Sequence, residues 1–163
     1  MKLPITILAF SLALALPSAT ATPFSDAIAE LDEFGRTLAS NKCPRPEKIS
    51  IEYVTNKYEG SKDEIQTFQC SGYRIVVYEA HASNIVSELP LSLTLRRNIH
   101  GLPQNLGIGT PLHTVRSLLG PPYSSTRKEL VYSSSDERPG QDIIIFHFNK
   151  QRVVRITWGW EID

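Results

Sequence analysis

The stretch Ile65-Gln66-Thr67-Phe68-Gln69-Cys70-Ser71-Gly72-Tyr73-Arg74-Ile75-Val76-Val77-Tyr78-Glu79-Ala80 decides the fold class. Two runs rich in β-branched and aromatic residues, 65–70 and 73–80, flank Ser71-Gly72. Glycine adopts the positive φ that a tight connection needs at little steric cost, so the expectation is a β-hairpin. Upstream, Ile49, Ile51 and Tyr53 alternate with polar residues and read as another strand. Downstream, over residues 91–97, Leu91, Leu93 and Leu95 share one face while Ser92, Thr94 and Arg96 share the other. That is a strand with one buried and one wet side.

Two helices bracket this region. Thr22-Pro23 offers an N-cap with Pro at the first helical position, and Phe24, Ala27, Ile28, Leu31, Phe34 and Leu38 then recur at three- and four-residue steps. Cys43-Pro44-Arg45-Pro46 ends the helix, because its prolines remove donors and force extended backbone. The same start recurs at Thr110-Pro111, followed by Leu112, Val115, Leu118 and Leu119, with a stop at Gly120-Pro121-Pro122. Three extended runs follow, 129–133, 142–148 and 152–158, separated by the polar loop 134–140 and the short turn Asn149-Lys150-Gln151. They predict an antiparallel meander. The fold class is α+β: two amphipathic helices on antiparallel sheet, in one domain of residues 22–163 with structural halves 22–105 and 106–163.

Residues 1–21 have the parts of a cleavable secretion signal: Lys2, an apolar run over 5–16, and the small-residue site Ala19-Thr20-Ala21. The apolar run is about half the roughly 20 residues needed to span a bilayer core. The first cysteine, Cys43, stands far beyond the cleavage point, so no lipid anchor is expected. The mature chain is therefore expected in the periplasm or outside the cell, with no membrane insertion after cleavage. In such an oxidising compartment Cys43 and Cys70 are expected to pair, stabilising the fold by roughly 3–4 kcal/mol. Seventeen basic residues balance 17 acidic ones without a run of either sign, which points away from nucleic acid as a partner.

The segment Leu106-Gly107-Ile108-Gly109-Thr110-Pro111-Leu112-His113-Thr114-Val115-Arg116-Ser117-Leu118-Leu119-Gly120-Pro121-Pro122, followed by Leu130-Val131-Tyr132 and the strands 143–148 and 153–158, resembles the SmpA/OmlA family. That family includes the small lipoprotein of the outer-membrane β-barrel assembly machine and shares a helix-plus-sheet unit with the β-lactamase inhibitor proteins. The resemblance covers about residues 106–158 and departs from the family in lacking the lipid-bearing cysteine and the Asp-Gly type turn between the last two strands. It implies architecture more than activity, because Thr110 as cap, Val115 and Leu118 as packing residues, Gly120 as stop and Tyr132 as core are folding residues.

Chemistry is sparse in the sequence. His81, His100, His113 and His147 show no spacing that brings ligands together, and no metal or cofactor is expected. The serines at 124–125 and 133–135 lack a nucleophile elbow, there is no phosphate loop, and no catalytic residue is assigned. Two surfaces stand out instead. Val154, Ile156, Trp158 and Trp160 alternate along the last strand; Trp158 reads as core, whereas Trp160 either anchors a partner or closes the edge of the core. The loop carrying Asp136, Glu137 and Arg138 is the second candidate, as binding residues favour loops on a rigid sheet. The function expected is non-enzymatic protein binding, first as an inhibitor or immunity-type protein blocking a secreted or periplasmic enzyme. An envelope assembly accessory is the alternative and a small periplasmic hydrolase the third reading.

Protein recovered from the periplasm is expected to begin near Thr22 and to contain no free thiol. Intact-mass measurement with and without reduction checks both; a retained Met1 or two alkylatable cysteines would contradict the export reading.

Overall fold

A computed structural model describes residues 23–56, 60–82, 85–135 and 140–161 of the chain; the expected signal segment lies outside them. In chain order the elements are α1 (Pro23–Asn41), β1 (Lys48–Thr55), β2 (Lys62–Cys70), β3 (Tyr73–Ala82), β4 (Ile85–Leu95), a 3-10 turn at Pro103–Asn105, α2 (Leu112–Leu119), β5 (Ser124–Ser125), β6 (Glu129–Ser133), β7 (Ile143–Asn149) and β8 (Arg152–Gly159). The strands form one antiparallel sheet in the order β1-β2-β3-β4-β8-β7-β6-β5. A helix followed by a four-stranded meander thus occurs twice, and the two meanders join through their last strands. The α+β class, the single domain and the Cys43–Cys70 disulfide expected from the sequence are all present.

The hairpin forms as read, with Cys70 opposite Tyr73 across Ser71-Gly72, and Gly72 at φ 93°. β4 is longer than the expected 91–97, running from Ile85 to Leu95. It contains Pro90 because β8 pairs only with Ser92–Leu95, so Pro90 sits where β4 has no neighbour on that side to miss its N–H. Its pairing with β3 slips between Val76 and Val77, which leaves Leu91 as the extra residue. The strand ends at Leu95 because the amides of Arg96 and Arg97 turn back to the Gly72 carbonyl.

One face of the sheet packs under the helices. A continuous row crosses it: Phe68 opposite Ile75, Ile75 opposite Leu93, Leu93 opposite Trp158, and Trp158 opposite Ile144. All are buried with Leu31 and Ala39 of α1 and Val115 and Leu119 of α2. The Trp158 indole donates to the Leu31 carbonyl at 2.9 Å, and Gly35 lies so close to the ring that a Cβ there would meet it at 2.6 Å. Glycine in mid-helix costs about 1 kcal/mol relative to alanine, a cost accepted here to let the helix approach the indole.

Two local readings are corrected. Thr110 does not cap α2: its hydroxyl accepts the Gly107 amide, and the helix starts at Leu112 after Pro111. The cause is strand-like pairing, since Thr110 O accepts from Val153 N, Pro111 bridges Arg152, and Leu112 N donates to Gln151 O, which keeps 110–111 extended. Strict alternation along the last strand also fails. A register shift between His147 and Phe148 pairs His147 with Arg155 but Phe148 with Val153. Val153 is consequently buried (1% exposed) while Val154 is turned out (44% exposed).

Trp160 is likewise core rather than an exposed anchor, at 5% exposure. Its ring N–H donates to Asp32 Oδ1 at 2.9 Å, and the Arg36 guanidinium stacks over it with its carbon 5.3 Å from the centroid. Arg36 in turn binds Asp32 Oδ2 (2.7 Å) and Asp142 Oδ2 (2.8 Å), and Glu161 N donates to Asp142 Oδ1, so Trp160 and Glu161 are clasped to α1 and to the residue before β7.

Three substitutions test this packing. Trp158→Ala should cost about 3–5 kcal/mol, as large core aromatic truncations do. Trp160→Ala should cost about 2–4 kcal/mol, and Gly35→Ala about 1–3 kcal/mol through overpacking. Denaturant titration measures all three; a Trp160→Ala variant with the wild-type midpoint would show that the clasp contributes nothing.

Candidate interaction surface

The helices cover only part of their side of the sheet. The C-terminal end of α1 faces the sheet across a small pocket lined by Ala39, Ser40, Val77, Glu88 and Pro90. Beyond that line β1, β2, β3 and the first half of β4 continue past the helix. The row Ile51–Gln66–Val77 is followed by the row Tyr53–Glu64–Glu79–Glu88, all on the same face because directly paired residues point the same way. Along these strands the inward positions change from apolar to charged where the helix stops.

β1 is the outermost of the described strands, and among the described residues its outer backbone edge has no neighbour in the sheet. On the helix side its side chains Ile49, Ile51 and Tyr53 are 50, 48 and 66% exposed. Beside them on the same face stand their register partners Phe68, Gln66 and Glu64 of β2. Lys48, Ser50 and Glu52 take the other face. An eight-residue edge with three large apolar side chains and no proline is a ready template for another strand or an apolar surface.

Next to this row lies a polar cluster. The Gln66 amide donates to Glu64 Oε2 (3.0 Å) and to Glu79 Oε2 (2.7 Å). His81 Nε2 lies 3.2 Å from Glu79 Oε1 and 4.0 Å from Glu64 Oε1. Glu88, the third carboxylate of the row, is taken by Lys42 Nζ at 2.8 Å. Behind the cluster Asp63 is fully buried and accepts from the Tyr78 hydroxyl, Asn56 Nδ2 (3.0 Å), Ser61 Oγ (3.3 Å) and the His81 backbone amide (2.9 Å). The Tyr78 hydrogen bond, and after it that of the His81 amide, hold the Asp63 carboxyl below its usual range, and the carboxylate in turn pushes the Tyr78 phenol up. Asp63 therefore fixes the backbone from which His81 projects.

The residues singled out in the sequence fall elsewhere. Trp160 is in the core, as described, and Asp136, Glu137 and Arg138 lie outside the described residues. Cys43 and Cys70 tie the segment after α1 to the end of β2, a few residues below the exposed row. His147 lies on the helix-free face between Glu129 Oε1 (2.9 Å) and Arg155 (3.0 Å), and burial, then the Arg155 charge, push its pKa down. The Ser133 hydroxyl donates to the Ser135 carbonyl and accepts from Gly140 N. No described helix is long and apolar enough to cross a membrane.

The paired positions of Glu64 and Glu79 were reachable from the sequence by counting six residues outward from Cys70 and from Tyr73 across the two-residue turn. The exposure of β1 was not, because alternation looks the same in a covered strand and in an overhanging one. No protein-family model, curated protein or solved structure matches this chain.

The lowered pKa values give stability a pH signature. A group whose folded pKa is depressed contributes stability above its unfolded value that is lost as pH falls. Melting temperature should therefore decline first below about 6.5 through His147 and again below about 3.8 through Asp63. The stability gap between wild type and Asp63→Asn should be widest at neutral pH and narrow below 3.8, while His147→Gln should flatten the decline just below 6.5. Melting curves across pH decide this; a gap for Asp63→Asn that stays constant with pH would assign it to packing instead.

Proposed function

We propose that this is an exported protein-binding protein that receives its partner on the β1 margin of the sheet. The observation that carries the reading is the row Ile49, Ile51 and Tyr53, large apolar side chains about half exposed or more on an unpaired edge. Strand addition supplies affinity through backbone hydrogen bonds and specificity through alternate side chains, and β1 offers both. The disulfide at Cys70 supports rigid presentation of this margin. The partner is an envelope or secreted protein, and the role is that of an inhibitor or immunity-type protein that blocks an enzyme by occupying its surface. The likeness of residues 106–158 to a unit shared with inhibitor proteins supports that role, while their likeness to SmpA/OmlA proteins supports an envelope accessory role as the second reading.

The test is photo-crosslinking in the periplasm from a benzoylphenylalanine placed at position 51 or 53, with position 113 on α2 as the reference. The expected result is a discrete adduct from 51 and 53 that is absent from 113. Tyr53→Ala should then weaken binding of the purified partner by about 2 kcal/mol while leaving stability within about 0.5 kcal/mol of wild type. An adduct containing a secreted enzyme supports inhibition, and one containing assembly components supports the accessory role. Crosslinking solely to a second copy of the chain, or equal crosslinking from all three positions, would overturn the proposal.

A further inference from the structure

The cluster beside the β1 row has an arrangement that partner binding does not explain. Glu64 and Glu79 are directly opposite on adjacent strands, an arrangement that is destabilising for two like charges. The neighbouring Lys42 is engaged by Glu88, so among the described residues no lysine or arginine neutralises the pair. What the pair does have is the Gln66 amide, which binds one oxygen of each carboxylate, Oε2 in both cases. This holds the two remaining oxygens, Oε1 of Glu64 and Oε1 of Glu79, toward the same imidazole nitrogen, His81 Nε2. That nitrogen is shielded from solvent and has no hydrogen-bond partner, although a carboxylate oxygen stands 3.2 Å away. A buried nitrogen left unpaired is costly, and one facing two pre-oriented carboxylates is a ligand set.

We propose that Glu64, Glu79 and His81 bind a single divalent transition-metal ion, with Zn2+ the best-fitting probe. The three ligand atoms lie within 4.8 Å of one another. Atoms held at zinc's usual ligand distances lie roughly 3.3–3.6 Å apart in a tetrahedron, so the observed 3.2 and 4.0 Å bracket the required spacing. An imidazole with only two carboxylates suits zinc and its neighbours, whereas Ca2+ takes six to eight oxygens. Three protein ligands leave a fourth position open, and the cluster is only partly buried, so water or a donor from another molecule completes the shell. Gln66 orients the two carboxylates, and Asp63 holds the His81 backbone. The site would tie β2 to β3 at their far end. It stands independently of partner binding.

The experiment is calorimetric titration of tag-free, chelator-treated protein with ZnCl2, followed by melting curves with and without zinc. One saturable ion per chain is expected, with a rise in melting temperature on binding. His81→Ala and Glu64→Gln should each weaken the Kd by at least roughly tenfold and abolish the zinc-dependent rise, whereas His113→Ala, on the exposed face of α2, should leave both unchanged. Millimolar CaCl2 should not compete. Melting of the metal-free variants verifies folding, and Glu79→Gln replaces either variant that fails it. Absence of saturable binding, or binding that survives His81→Ala and Glu64→Gln in folded protein, overturns the site.

Discussion

The indole of Trp158 and the notch that Gly35 leaves for it govern the arrangement of everything else. Trp158 stands where the two meanders meet, with Leu93 of one half on one side and Ile144 of the other half on the opposite side. The seam between β4 and β8 is only four residue pairs long, so backbone hydrogen bonds alone would hold the halves weakly. Burying a ring of that size under α1 supplies much of the remaining attraction, and the Leu31 carbonyl satisfies an N–H that burial would otherwise leave unpaired. Because α1 belongs to the first half and Trp158 to the second, this contact also sets the position of the helix over the sheet. With its length set by the prolines after Cys43, the helix so placed ends near Val77 and Pro90, and β1 to β4 continue beyond it.

That termination gives β2 and β3 two chemistries on one face. Phe68 and Ile75 lie beneath the helix side of the core; Gln66 and Val77 mark the transition; Glu64 and Glu79 are partly buried, with 20 and 16% of their side chains exposed. Carboxylates are affordable only past the end of the hydrophobic cover, where water or a cation compensates their charge. Asp63 is the exception, a carboxylate with no solvent contact, and it carries four hydrogen-bond donors accordingly.

Much of the architecture was legible in the sequence because its determinants are local. The Ser71-Gly72 turn, the prolines after Cys43 and the run 143–148 specify their structures within a few residues, and the hairpin, the end of α1 and the closing meander follow. Readings failed where a distant partner overrides the local pattern. Thr110-Pro111 has the form of a helix start, yet pairing with Arg152 and Val153 draws it into an extended bridge. Val154 lies in phase with Ile156, yet the bulge opposite His147 exchanges it for Val153. Trp160 looks unattached near the chain end, but Asp32 and Arg36, on a helix formed far earlier in the chain, enclose it. The candidate surface was hidden for a related reason: the prolines after Cys43 set the length of α1, but whether Ile51 and Tyr53 are covered also depends on its placement over the sheet, which rests on the distant Trp158 contact.

The two margins of the sheet are unequal. At one side β5 is two residues long, paired to β6 only through Ser124 and Ser125 and preceded by Pro121-Pro122. At the other, β1 presents eight residues in extended form. A sheet that can be prolonged at both margins polymerises; one blunted at a single margin terminates after one addition. A strand added along β1 would therefore find no second long margin among the described strands, so addition there would stop at one, and two copies meeting through β1 would close into a pair rather than propagate into a fibre.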